Sequence, residues 1–128
     1  MTGARARRQA AYRRGVEAES RVADLYRSAG FKIVGARVRT SAGEIDLVAE
    51  HAGTVVFVEV KRRKTLDGAA EAVSRRQQHR IVRAAMVWIA DNADFAGHDM
   101  RFDVVLLAPA GQRRHIVDAF QADGVDLT

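Results

Sequence analysis

Three charged side chains interrupt two apolar segments of the chain in a pattern that could carry out phosphate chemistry. Asp46 stands inside the apolar run at residues 45–48, and Glu59 and Lys61 stand two residues apart at the end of the run at residues 54–61. In an extended strand, residues two apart project from one face, so Glu59 and Lys61 lie side by side. Charges buried among apolar residues are costly unless a counter-charge or a metal ion partners them. The pattern therefore predicts a partnered charge cluster.

The turn around Ala52 and Gly53 makes the two segments antiparallel neighbours and so decides which charges meet. Counting outward from the turn places Asp46 opposite Glu59, with Cβ atoms about 4.5–5.5 Å apart. Two carboxylates at that distance repel, whereas Mg²⁺ or Mn²⁺ would bind both and leave positions for water and phosphate. Lys61 could then orient or deprotonate the attacking water and offset transition-state charge. The same residues also allow a surface Glu59–Lys61 ion pair beside an exposed Asp46.

Two polar residues on predicted helices are further candidates for this site. Apolar residues at helical spacing predict one helix over residues 12–29, where Glu19 lies at the shoulder of the apolar stripe. A second helix over residues 74–92 places Gln78 in an inward row. Glu19 could join the metal ligands or be a solvated glutamate. Gln78 could contact a hydrated metal or a phosphate, or it could cap the helix.

The remaining segments complete an α/β pattern. The strand predictions cover residues 31–39, 44–50, 54–61, 102–108 and 115–120. The order αβββαβ(β) predicts a mixed sheet packed between helices, in a single domain over residues 13–120. Residues 1–12 have no periodic apolar pattern, so we expect them to form a basic, disordered arm. Residues 121–128 are expected to form a frayed tail.

Composition excludes several classes of protein and of site. A chain of 128 residues fits one domain, and it has no apolar run long enough to span a bilayer. Without cysteine there is no disulfide, thiolate zinc site or thiol nucleophile, and the four histidines lack metal-ligand spacing. The basic beginning of the chain has no apolar signal region, which predicts a cytoplasmic protein, with an organelle transit peptide as the alternative.

Positive charge is concentrated in two parts of the sequence. Of the net charge of +5, five arginines precede the first acidic residue, and residues 61–83 hold eight Lys/Arg against two acids. A basic arm and patch suit a phosphate polymer, although arginines also serve solubility alone. DNA is the predicted partner and a homodimer is a further possibility, with no membrane partner. The predicted nucleic-acid contacts are Arg62, Arg63, Lys64, Arg75, Arg76 and Arg80.

Two other acidic residues lie near the strands that carry the cluster. Glu44 falls on the same face as Asp46 and ranks below it as a supporting group. Asp103 interrupts a buried strand and is predicted to be a structural partner for Arg101 or another arginine, and not a metal ligand.

Four segments in order resemble a known family. The segments Gly43-Glu-Ile-Asp-Leu-Val48, Phe57-Val-Glu-Val-Lys61, Gly15-x-x-x-Glu19 and Arg101-Phe-Asp-Val104 resemble the YraN-type uncharacterised proteins of bacteria, over residues 15–108. Their Asp-x(12)-Glu-x-Lys core is similar to the PD-(D/E)xK nuclease superfamily, which includes archaeal-type Holliday junction resolvases. The resemblance implies a restriction-endonuclease-like three-layer fold that hydrolyses DNA phosphodiesters with Mg²⁺ or Mn²⁺.

The resemblance also implies roles for individual residues. Asp46 and Glu59 would be metal ligands, Lys61 the catalytic lysine, Glu19 the helix-borne acid and Gln78 the polar residue of the second helix. The chain departs from the family pattern at two places: Gln77 replaces the lysine of a Lys-Gln pair, and Arg37-Val38 replaces Asn-Trp. These departures favour one alternative to an enzyme, a non-catalytic nucleic-acid-binding module that acts with a partner. A third, weaker interpretation is an adaptor whose basic face meets an acidic protein.

Overall fold

The computed structural model describes residues 3–68 and 71–122. These residues form two α-helices and five β-strands, with a 3-10 turn at Ala93–Phe95 before the fourth strand. In chain order the elements are α1 (Gly3–Ser28), β1 (Lys32–Thr40), β2 (Gly43–His51), β3 (Thr54–Arg62), α2 (Arg75–Asp91), β4 (Asp99–Leu107) and β5 (Arg113–Phe120).

The five strands form one mixed sheet in the order β1-β2-β3-β4-β5. Strands β3 and β4 are parallel because the chain returns through α2, and the other neighbours are antiparallel. Helix α2 packs on one face of the sheet and α1 on the other, with a separate apolar cluster under each helix. The predicted three-layer restriction-endonuclease-like α/β fold is thereby confirmed.

Strand β3 is the centre of the fold and is buried on both faces. Phe57 packs edge-to-face against Trp88 of α2 and stacks on Phe102 of β4, with ring centroids 5.8 and 5.5 Å away. On the opposite face, Val56 and Val58 belong to the cluster beneath α1. A continuous apolar strand needs cover on both sides, which explains why this strand lies between the helices.

Both helices bury one apolar stripe, but α1 is longer than its apolar pattern predicted. It begins at Gly3, so residues 3–12, predicted as a disordered arm, are helical, and the predicted domain boundary falls inside one helix. Alanine and arginine have high helix propensity, which favours a helix there without an apolar stripe. Residues 1–2 and 123–128 lie outside the described residues. No described helix is long and apolar enough to cross a membrane.

A buried carboxylate, Asp103 of β4, ties α1 to the sheet. It accepts hydrogen bonds from the Tyr26 hydroxyl at 2.6 Å, from Arg101 Nε and Nη2 at 2.9 Å each, and from the Asp118 amide at 2.9 Å, and His115 Nε2 lies 3.0 Å away. Burial alone raises the pKa of Asp103, but these hydrogen bonds outweigh burial and hold the pKa below its usual value. The prediction that Arg101 is its structural partner is confirmed.

Candidate functional site

The site lies where β2 and β3 separate. Their pairing runs from His51 with Thr54 to Leu47 with Val58, in the register predicted from the turn. At the next position the backbone ladder ends, and Asp46 Oδ2 accepts a hydrogen bond from the Val60 amide at 2.8 Å. The carboxylate thus replaces a backbone acceptor and holds Asp46 at the opening between the strands.

Glu59 is next to Asp46 and has Lys61 as its counter-charge. Lys61 Nζ lies 3.3 Å from Glu59 Oε1, and both side chains are 16% exposed. Burial, followed by the charge of Asp46, raises the pKa of Glu59 to about 7 against the opposing effect of Lys61. Burial also raises the pKa of Asp46, opposed by the hydrogen bond from the Val60 amide. One counter-charge beside two carboxylates leaves the pair short of a cation or a proton.

Asp46 and Glu59 line two cavities, one on each side of the opening between the strands. The cavity on the α1 side encloses about 280 Å³ and the cavity on the α2 side about 220 Å³. The α1-side cavity is also lined by Gly15, Ala18, Glu19, Val60, Lys61, Arg62 and Arg63, and the α2-side cavity by Glu44, Gln77, Arg80 and Ile81. A group bound by the two carboxylates would therefore be reachable from both faces of the sheet.

Glu19 reaches the α1-side cavity, as predicted, but it already has a partner. Its Oε2 atom lies 2.8 Å from Arg37 Nε, and the glutamate side chain is 13% exposed. Burial and then the nearby charge of Asp46 raise the pKa of Glu19, while Arg37 opposes them. Glu19 thus faces the carboxylate pair with its charge already neutralised.

The donor chemistry of Asp46 and Glu59 fits Mg²⁺ or Mn²⁺. Within residues 3–68 and 71–122, no three His, Asp or Glu side chains are gathered closely enough to hold a metal ion by themselves. Mg²⁺ is commonly bound through one or two carboxylates, with water and substrate phosphate completing its shell. Asp46 and Glu59 meet that requirement. The role of Glu19 as a third ligand stays a prediction.

The two glutamines at the start of α2 differ in what they contact. Gln78 Nε2 donates to the Val73 carbonyl at 3.1 Å, and Gln78 does not line either cavity, which agrees with the alternative of a local role at the helix start. Gln77 lines the α2-side cavity and also forms a capping box with Ser74, since Ser74 N donates to Gln77 Oε1 at 3.0 Å. Gln77 and Arg80 are therefore the α2 residues beside the carboxylates.

The predicted nucleic-acid contacts separate into three groups. Arg62 and Arg63 line both the α1-side cavity and an adjoining cavity of about 660 Å³. This adjoining cavity, called the basic cavity below, is lined by Arg14, Glu17, Arg21, Arg62, Arg63, Lys64, Leu107, Ala108 and Pro109. Arg80 lies at the α2-side cavity, whereas Arg75 and Arg76 are exposed on the first turn of α2 and line none of the three cavities.

Sequence reasoning did not assign Arg37, Arg14 or Arg21 to the site. In the sequence, Arg37 stands out only as a departure from the family pattern. An arginine at that position of β1 was nevertheless a signal that the chemistry of the site differs from that pattern. Arg14 and Arg21 lie on the face of α1 next to the end of β3, and only the packing of α1 on the sheet reveals this.

Comparison with known proteins identifies the family. A relative from Bradyrhizobium sp. (strain ORS 278) is 49% identical over 115 residues, which cover 90% of this chain and 82% of the relative. A relative from Azorhizobium caulinodans is 46% identical over 123 residues, covering 96% and 94%. Both are described as UPF0102 proteins. The family model matches residues 18–107, so the YraN-type resemblance is confirmed and the chain belongs to the uncharacterised protein family UPF0102.

Proposed function

We propose that this protein is a metal-dependent endonuclease that hydrolyses DNA phosphodiester bonds. The observation that carries the proposal is the convergence of Asp46, Glu59 and Lys61 at an opening between two strands that is lined by cavities on both sides. Mg²⁺ or Mn²⁺ held by the two carboxylates would supply Lewis acidity and lower the pKa of a bound water.

Lys61 and Asp46 have different tasks in this proposal. Lys61 Nζ, at 3.3 Å from Glu59, can orient the attacking water and offset the negative charge that develops on the phosphoryl oxygens. The water loses a proton as its oxygen bonds to phosphorus, and the leaving oxygen takes a proton as its bond to phosphorus breaks, so the two products share the atoms of one water. The Val60 amide fixes Asp46 through Oδ2, so the carboxylate is already positioned before substrate binds.

The basic cavity supports DNA as the substrate. It holds five Lys/Arg side chains and one acid, and it shares Arg62 and Arg63 with the α1-side cavity. A phosphate backbone in the basic cavity would be contiguous with the carboxylate pair, and cations that neutralise phosphates supply much of the affinity for nucleic acid. The resemblance to junction resolvases makes branched and recombination intermediates candidate substrates.

A second candidate is a non-catalytic nucleic-acid-binding module of the same fold, acting with a partner. It is favoured by the ion pairs Glu59–Lys61 and Glu19–Arg37, which give two of the three carboxylates lining the α1-side cavity a counter-charge without a metal. This candidate predicts salt-dependent DNA binding that needs no divalent ion and that survives Glu59→Gln.

The deciding experiment incubates the protein with single-stranded, duplex, flap and four-way junction DNA in the presence of Mn²⁺. We expect cleavage of at least one substrate by wild type, and a loss of about 10²-fold or more in Asp46→Asn and Lys61→Ala. Asp24→Asn is the matched control, because Asp24 is an exposed α1 aspartate that lines none of the three cavities. Cleavage by all variants alike, or by none of the proteins including wild type, would contradict the proposal.

A further inference from the structure

Arg37 lies in the same row of the sheet as the carboxylate pair. The β1–β2 pairs on either side of it are Ala36 with Leu47 and Val38 with Ile45, so Arg37 is on β1 opposite Asp46 of β2. Its backbone has φ of 48°, in the left-handed region that favours glycine and asparagine. An arginine in this region carries backbone strain, which the contacts of its side chain can offset.

The Arg37 side chain packs against α1, where it contacts Tyr12, Gly15 and Glu19. Its guanidinium carbon lies 4.9 Å from the centre of the Tyr12 ring, and Nε lies 2.8 Å from Glu19 Oε2. A Cβ atom at Gly15 would come within 2.9 Å of Arg37 Nη2, so the glycine allows the guanidinium to lie close against the helix. Ring, glycine and carboxylate together hold the arginine, although a third of its side chain remains exposed.

This arrangement leaves Glu19 in the α1-side cavity with its charge already paired. Glu19 and Asp46 both line the α1-side cavity, but Glu19 is not part of a preformed three-carboxylate cluster within residues 3–68 and 71–122. A third carboxylate would strengthen the binding of a hard divalent ion. In the free protein Glu19 is instead paired with Arg37.

We propose that Arg37 is a positioning residue that withholds Glu19 from the metal until a DNA phosphate takes the guanidinium. This inference rests on the proposed function, because it concerns how the same site is completed. Lys61, Arg62 and Arg63 line the α1-side cavity and can contact a phosphate group that enters it. Arginine binds phosphate through two parallel hydrogen bonds, so phosphate can replace a glutamate as its partner. Glu19, freed beside Asp46, then gains from sharing a cation.

The first test measures Mn²⁺ binding to the protein without DNA, by isothermal titration calorimetry. Arg37→Asn suits the left-handed backbone, and it should bind Mn²⁺ at least about fivefold more tightly than wild type. Glu19→Gln alone should change the affinity little, and Arg37→Asn with Glu19→Gln should return to the wild-type affinity. Arg39→Asn is the matched control, since it removes the same charge from β1 but its Nε is 3.9 Å from Glu44 and its side chain is 90% exposed.

The second test measures DNA binding in EDTA, where no cleavage occurs, by fluorescence anisotropy with a labelled duplex. Glu19→Gln should tighten binding because it removes the competitor for Arg37, and this gain should disappear when Arg37→Asn is combined with it. Glu17→Gln is the control on the same helix. It removes the same charge at the basic cavity, and its effect should add to that of Arg37→Asn without coupling.

The outcomes separate this inference from the proposed function. If Arg37→Asn folds, as judged by circular dichroism, and binds Mn²⁺ no more tightly than Arg39→Asn, the inference is wrong. A loss of Mn²⁺ binding in Glu19→Gln alone would also contradict it, because Glu19 would then already be a ligand. If wild type and Asp46→Asn bind Mn²⁺ equally, the metal site itself is wrong and the proposed function fails with it.

Discussion

Asp46 Oδ2 accepts a hydrogen bond from the Val60 amide at 2.8 Å, one position beyond the last backbone pair of β2 and β3. A side chain therefore continues the hydrogen bonding of the sheet where the strands begin to separate. The same residue has two tasks, since its Oδ2 atom closes the strand pair and its side chain lines both cavities beside Glu59. Substitutions at Asp46 can separate the two tasks.

Asp46→Ala should lower both stability and metal binding, whereas Asp46→Asn should lower mainly metal binding. Alanine leaves the Val60 amide without its acceptor, at a cost of about 1–3 kcal/mol, while asparagine keeps an oxygen there. Urea unfolding gives the free energy of unfolding, and calorimetry gives the Mn²⁺ affinity. Equal stability of the two variants would contradict the role of the hydrogen bond.

Glu59 should make the metal-free protein less stable as the pH rises through about 7. Its pKa in the folded state is raised to about 7 from an unfolded value of 4.5, so the folded protein holds this proton more tightly. The stabilisation that Glu59 provides by holding this proton amounts to up to about 3 kcal/mol. It is fully present below the unfolded pKa and is lost as the pH rises through the folded pKa. Asp46, whose pKa is also raised, acts in the same direction.

Glu59→Gln mimics the protonated side chain and should reduce this loss of stability between pH 5 and pH 8. The measurement is urea unfolding of both proteins in EDTA at several pH values. Asp24→Asn serves as the control, because Asp24 is exposed on α1 and lines none of the three cavities. If Glu59→Gln and Asp24→Asn both follow the same pH profile as wild type, the buried carboxylate pair does not govern the pH dependence of stability.

Arg21→Ala should weaken DNA binding and reduce its dependence on salt. Arg21 lines the basic cavity, and each lost phosphate contact lowers the slope of log K against log salt by about one. Arg27→Ala on the same helix is the matched control, because Arg27 pairs with Asp24 and lies outside the three cavities. Anisotropy titrations at several salt concentrations in EDTA give both slopes. A larger effect at Arg27 would place the DNA on another face.

Asp103→Asn should destabilise the fold without affecting the metal site directly. The change leaves Arg101 without its buried counter-charge, which costs about 3–5 kcal/mol. Because the folded pKa of Asp103 is lowered, its stabilising effect is present above the usual carboxyl pKa and is lost as the pH falls through the folded value. Thermal unfolding should show a lower Tm. An unchanged Tm would mean that the network around Asp103 does not hold α1 in place.

Most of the strands and the central triad could be predicted from the sequence, because they depend on patterns among nearby residues. Strand β3 at Thr54–Arg62 agrees closely with the predicted residues 54–61, because a long run rich in β-branched residues between two turns favours a strand over other conformations. The meeting of Asp46 with Glu59 followed from alternation and from the turn. Both depend on residues close together in the chain.

What the sequence did not reveal depends on long-range packing. Gln77 and Gln78 are adjacent on α2, and only the docking of the helix decides that Gln77 lines the cavity. The start of α1 had no apolar stripe, so periodicity gave no sign of it. The pairing of Arg37 with Glu19 joins β1 to α1 through a left-handed backbone that no local pattern predicts.

The parallel pairing of β3 with β4 has a consequence for how the chain folds. Thr54 of β3 pairs with Asp99 of β4, so this pairing must wait for the chain through α2, whereas Asp46 and Glu59 belong to one hairpin. Contacts between residues near in sequence form faster than those that close long loops. The two carboxylates can thus approach while water still screens their repulsion, and the cost of desolvating them falls on the later step that covers the sheet.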